Sequence, residues 1–182
     1  MVLKIDFYSG ISIEKIMVKS NLENSLSKLW LTWLMVLRIF IGWHFLYEGM
    51  VKVLNPDWTS KAYLLDSGGF LKNIFEWMAL NSNVLQVVDF LNAWGLTLIG
   101  LSLLLGIFCR AGAFAGMLLL LFYYLSHPAF PGIEYLFPTD GSYFIINKTL
   151  VELFALFVIF AFPSAHIIGL ERFWAAKNKI PE

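Results

Sequence analysis

Arg38, His44, Glu48 and Lys52 sit inside a run, about Leu29 to Leu54, that is otherwise apolar enough to cross a bilayer. At about 100° per residue from Arg38, His44 falls near ~240°, Glu48 near ~280° and Lys52 near ~320°, so all four share one stripe. An imidazole, a carboxylate and two cations on one face can exchange protons and hold an anion or a carbonyl. A charge placed in hydrocarbon costs roughly 2.5–3.5 kcal/mol on insertion scales, so the stripe is expected to face other helices rather than lipid.

The elements that position this stripe follow from composition and hydropathy. The chain is 59% hydrophobic with only 14% charged residues, well below the quarter typical of soluble domains. A net charge of zero gives no electrostatic case for nucleic acid. The single cysteine, Cys109, excludes an internal disulfide and any CxxC motif. The first 28 residues are mixed polar and lack the apolar core and small-residue cleavage site of a signal peptide. These features predict an all-α integral membrane four-helix bundle with short interfacial helices. Its parts are an N-terminal arm (1–28), a four-span bundle (29–163) and an interfacial tail (164–182).

In order, Ser20-Asn-Leu-Glu23 has capping-box spacing and predicts a helix start leading into span one, which ends near Asn55-Pro56. The connection 55–83 carries Leu71, Ile74, Phe75 and Met78 at helical spacing, predicting a short amphipathic helix. Span two is expected over Val84–Phe108, where Asp89, Asn92 and Gly100 share a face and Gly95, Gly100 and Gly106 permit close helix approach. Cys109-Arg110 reads as a tight turn. Span three is expected over Ala111–Ser126, with Gly112 and Gly116 as packing residues, ended by His127-Pro128. Span four is expected over Tyr143–Phe162, with Asn147, Lys148 and Glu152 near its start.

The arm, the second connection and the tail carry eight Lys and Arg, against two in the first and third connections. This bias predicts cytoplasmic termini in the cell membrane. His44, Glu48, Lys52, Asp89, Asn92, Asn147, Lys148, Glu152 and His127 then converge at one level in the outer half, with Arg38 deeper. The ordinary reading is neutralisation: Glu48–Lys52 and Lys148–Glu152 are i,i+4 pairs, and long side chains snorkel. The number of groups meeting at one depth favours a functional pocket. Glu48, His44 and Glu152 are the candidates for proton transfer. Arg38, Lys52, Asp89, Asn92, Asn147 and Lys148 are the candidates for binding substrate.

Such a pocket offers donors to a quinone's carbonyls and apolar walls, with Trp43, Trp94 and Tyr123 as aromatic contributors; its cations suit a small anion. With three histidines, of which His166 falls at the opposite end, bis-histidine haem is a poor fit. No haem, flavin, Fe–S, nucleotide or metal motif is present in the sequence.

The motifs Arg38…Gly42…Glu48-Gly49…Lys52, Asn55-Pro-Asp-Trp-Thr-Ser60, Val88-Asp-Phe-Leu-Asn-Ala-Trp-Gly-Leu96 and Tyr143-Phe-Ile-Ile-Asn-Lys-Thr-Leu-Val-Glu-Leu153 together resemble the DoxX family of small membrane proteins, closest to its DoxD-type members. The likeness covers roughly residues 29–172. It implies a four-helix membrane protein. Among DoxD-type relatives it implies the large subunit of a thiosulfate:quinone oxidoreductase, which converts thiosulfate to tetrathionate with a second, DoxA-type subunit. The expectation is thus a quinone-linked oxidoreductase subunit in the lipid bilayer, alone or as a homo-oligomer. The alternative is a non-enzymatic module that binds or passes a small solute, or a scaffold of a redox complex. With no cofactor motif, electrons in the first reading pass directly between substrates or through a partner.

Overall fold

The computed structural model describes residues 3–133, 135–136, 144–162 and 164–171, with side chains from Ser25 onward, His166 excepted. Among them the chain is all-helical, with no strand. Helix α1 spans Leu3–Val53, α2 Lys61–Leu65, α3 Lys72–Leu80, α4 Ser82–Leu105, α5 Cys109–Ser126 and α6 Lys148–Ala161, followed by a 3-10 turn at Ser164–His166. Three segments are long and apolar enough to cross a membrane: Ser25–Val53, Ser82–Leu105 and Cys109–Ser126. Large apolar side chains such as Phe40, Trp43, Phe90 and Phe122 cover their outer surfaces, as lipid contact requires.

Glycines set how closely α1 and α4 approach. A Cβ at Gly100 would collide with the backbone of Leu46, and one at Gly49 with Thr97. Gly42 lies against Leu103 and Leu104, so the two helices run antiparallel along a glycine-lined seam. Gly112 of α5 packs on Ser102 of α4, and Gly116 on Leu156 of α6, the packing role their spacing predicts. Ile41, Phe45, Leu96, Ile99, Leu103, Ala113, Leu120, Leu156 and Ile159 form the core between these four helices.

Several boundaries differ from the sequence expectation. The first helix runs unbroken through Ser20, because no proline lies between Leu3 and Val53 to end it. Cys109 and Arg110 are already inside α5; the turn is made by Gly106 (φ 70°) and Phe108 (φ 53°), with Gly106 as the left-handed cap of α4. Gly95 has open space around it, so of the three glycines in α4's stretch only Gly100 serves the helix contact. Helix α6 starts at Lys148 because the Asn147 side chain accepts the Leu150 N–H at 2.9 Å and caps it. Its 14 residues rise about 21 Å, less than the roughly 30 Å hydrocarbon core, so it is not among the three long apolar segments.

The amphipathic helix of the first connection is α3. Phe75 and Ala79 are buried, with Leu71 and Met78 packed beside them, whereas Ile74 faces outward. With Leu64 of α2 they form a second cluster against Leu85, Val88 and Leu125. This cap roofs one end of the long helices. At the other end the final segment docks on α4: Leu170 and Glu171 donate their N–H groups to the carbonyls of Leu105 and Gly106. Tyr143, Pro163 and the predicted tail residues Arg172, Phe173, Trp174 and Lys177 lie outside the described residues.

Candidate functional site

Beneath the cap, side chains from α1, α4, α5 and α6 enclose a cavity of about 590 Å3. Its polar lining includes His44, Glu48, Lys52, Asn92, Lys148 and Glu152, six of the nine residues the sequence singles out. Phe45, Leu96 and Leu120 supply apolar wall.

The buried face of α1 explains how the groups are arranged. Arg38, Ile41, Gly42, Phe45 and Gly49 are buried and Lys52 largely so, whereas the His44 and Glu48 side chains are about half exposed, at 54% and 49%. The polar stripe is therefore split. Its cationic edge lies in the helix seam, and its imidazole–carboxylate edge opens at the cavity mouth.

Lys52 is the hub of the inner set. Its Nζ donates to Asn92 Oδ1 at 3.1 Å and to Tyr123 Oη at 3.4 Å, with Glu48 at 3.9 Å. Tyr123 donates to the same Asn92 oxygen at 2.8 Å. The ammonium also lies 5.2 Å from the centre of the Trp58 ring and 5.7 Å from that of Tyr123, a cation–π arrangement. At the mouth, His44 Nδ1 meets Glu152 Oε1 at 2.8 Å and ties α1 to α6.

Three predicted residues fall outside this set. Arg38 is buried at the opposite end, where it donates to the Ile168 carbonyl at 2.7 Å and approaches Ser164 Oγ at 3.5 Å. It lies at the far end of α1 from the cavity, and its guanidinium is engaged with the C-terminal segment. Asp89 accepts from Thr59 Oγ1, Ser60 N and Ser60 Oγ, so it binds the first connection. Asn147 is the cap of α6. Of the aromatic contributors, Tyr123 lines the cavity while Trp43 and Trp94 face outward.

Sequence reasoning missed Trp58, Thr59, Ser60, Tyr63 and Thr149, which also line the cavity. The first four belong to the connection after α1, and their inward placement depends on non-local partners. Asn55-Pro-Asp-Trp-Thr-Ser60 was visible as a motif; its place over the cavity was not.

A second cluster stands beside the cavity wall. His127, just past α5, stacks on Tyr63 with ring centroids 4.0 Å apart and lies tilted against Tyr135 at 4.7 Å. Its Nε2 lies 3.7 Å from Asp66 Oδ2, an ion-pair separation too long for a hydrogen bond. Burial holds the His127 pKa below its usual value against the opposing pull of Asp66. Burial likewise pushes the Tyr63 and Tyr135 phenols upward, so both stay protonated. Among the described residues no group of three or more His, Cys, Asp or Glu is arranged to hold a metal ion.

No curated protein and no solved structure matches this chain. The DoxX family model matches residues 33–128, over half of the chain, from within α1, just ahead of Arg38, to Pro128. The motif Tyr143–Leu153 lies beyond that match. The chain belongs to the DoxX family, and its three long apolar helices point to a multi-pass membrane protein.

Proposed function

We propose that this DoxX protein is a membrane subunit of a quinone-linked oxidoreductase, with the quinone head group held in the cavity under the cap. The observation that carries this reading is the Lys52–Asn92–Tyr123 set, hydrogen-bond donors and acceptors gathered in a cavity with apolar walls. In this reading the Lys52 ammonium turns its remaining N–H toward a ring carbonyl, while Asn92 and Tyr123, hydrogen-bonded to it and to each other, hold it in place.

Reducing a quinone to a quinol takes two electrons and two protons. His44 and Glu152 deliver protons from the mouth, with Glu48 between them and Lys52. The electrons come from a small sulfur oxyanion or a second, DoxA-like subunit. With thiosulfate, two anions join through sulfur as tetrathionate and release the two electrons, as the resemblance to DoxD-type members implies. The topology that goes with this reading is four spans, α6 completing the fourth, in the cell membrane with both termini cytoplasmic. Arg38, Asp89 and Asn147 then act through the scaffold rather than on substrate.

A second reading rests on Lys148, which lines the same cavity as Lys52. Two cations suit a small anion that is bound or passed without electron transfer. Mass spectrometry of lipid-soluble molecules co-purifying with the protein separates the two. A stoichiometric quinone, lost from a Tyr123→Phe and Lys52→Met double variant, supports the first; its absence, with saturable anion binding, supports the second.

A further inference from the structure

The segment between α1 and α2 forms part of the cavity lining, and its hydrogen bonding is lopsided. Within residues 55–60 the turn closes on itself: Trp58 N–H donates to the Asn55 carbonyl at 3.1 Å and Asp57 N–H to Asn55 Oδ1 at 3.2 Å. Apart from the Asn55 N–H, which donates to the Lys52 carbonyl of the adjoining α1 at 3.3 Å, the hydrogen bonds from this segment to a long helix among the described residues end on one carboxylate, Asp89 of α4. Thr59 Oγ1 donates to Oδ2 at 2.8 Å, while the Ser60 N–H (2.8 Å) and the Ser60 hydroxyl (2.5 Å) both donate to Oδ1.

Thr59, Ser60 and the neighbouring Trp58 all line the cavity, and Asp89 does not. Ser60 is buried, so its two donors need acceptors. Trp58 is held over Lys52 directly before the two latched residues. A carboxylate accepting three donors is a strong anchor, because hydrogen bonds to an ionised acceptor are about twice as strong as neutral ones.

We propose that Asp89 is a positioning residue that sets access to the cavity, pinning Thr59 and Ser60 as its roof and so keeping Trp58 closed over Lys52. Release of the three bonds lets the segment swing on the Asn55-Pro56 turn and opens the cavity above Lys52. The proposal requires only the cavity and not the identity of its occupant.

Thiol labelling tests it on the full-length protein in lipid nanodiscs. Thr149→Cys places a reporter on the cavity wall, with the single native Cys109 buried as a silent background. The probe is a neutral maleimide, and hydrogen exchange over residues 55–64 is followed in parallel. Asp89→Ala is expected to raise the labelling rate about tenfold or more and to speed exchange at Ser60. Asp89→Asn keeps one acceptor for Ser60, and its amide can donate to a reoriented Thr59 hydroxyl, so it is expected to restore most of the protection.

Ser60→Ala removes one bond and gives an intermediate rate, which keeps the test usable if Asp89→Ala fails to fold. Equal labelling and exchange in wild type, Asp89→Ala and Ser60→Ala would overturn the proposal. So would an Asp89→Asn protein as open as Asp89→Ala.

Discussion

His44 Nδ1 lies 2.8 Å from Glu152 Oε1, joining two helices whose partners are 108 residues apart in the chain. In the proposed function this pair, at the cavity mouth, passes protons from solvent to the quinone. Glu152→Gln keeps the shape and an acceptor oxygen but cannot take up a proton. Quinone affinity is expected to stay within about twofold, while turnover with thiosulfate as donor falls by about 10²-fold, the lower end of general acid–base contributions. Steady-state quinone reduction in nanodiscs is the measurement; unchanged turnover would remove this pair from the proton path.

The α1–α4 seam makes a prediction about packing. Gly100→Val pushes a side chain into the Leu46 backbone, which cannot yield as a flexible side chain can. A loss of about 1–3 kcal/mol is expected, in line with overpacking in tight cores. Gly95→Ala, whose Cβ meets nothing, is the control and is expected to be neutral or slightly stabilising. Thermal unfolding of both in one detergent compares them directly.

His127 makes a pH prediction. Its folded pKa is depressed by burial, so the fold favours the neutral ring. Its contribution is therefore fully present above the unfolded value of about 6.5 and is lost as pH falls below that value through the folded pKa. Stability of the wild type minus that of His127→Gln is expected to shrink on going from pH 7.5 to pH 5. A difference that grows on acidification would mean that Asp66, 3.7 Å away, outweighs burial.

Arg38 belongs to the scaffold on this account. Arg38→Leu leaves the Ile168 carbonyl without its donor and is expected to cost about 1.5–3 kcal/mol, the range for hydrogen bonds to charged groups. Faster limited proteolysis after Ser164, with ligand affinity in the cavity unchanged, is the expected signature. A change in affinity without a change in proteolysis would return Arg38 to the site.

Much of this architecture was legible from local patterns, since hydropathy located the long apolar helices and proline marked the end of α1. The convergence of His44, Lys52, Asn92 and Glu152 was legible because an apolar environment leaves charged side chains few places to turn. What escaped were features decided between distant residues. His44 and Glu48 flank the seam rather than fill it, because the glycines at 42, 49 and 100 fix which face of α1 meets α4. Asp89 looked like a pocket residue, and its three donors come from a segment about 30 positions earlier, which periodicity cannot register. Asn147 looked like a ligand group because nothing in the apolar run revealed that the helix begins only after it.

In the proposed function the Lys52–Asn92–Tyr123 set holds a quinone head group. Calorimetric titration of a short-chain quinone into nanodisc-embedded protein tests it most directly. Lys52→Met retains the stem's packing and removes the charged donor, so binding is expected to weaken by about tenfold or more, as loss of a charged hydrogen bond of about 1.5–3 kcal/mol requires. A folded Lys52→Met protein that binds the quinone as tightly as wild type would contradict the account.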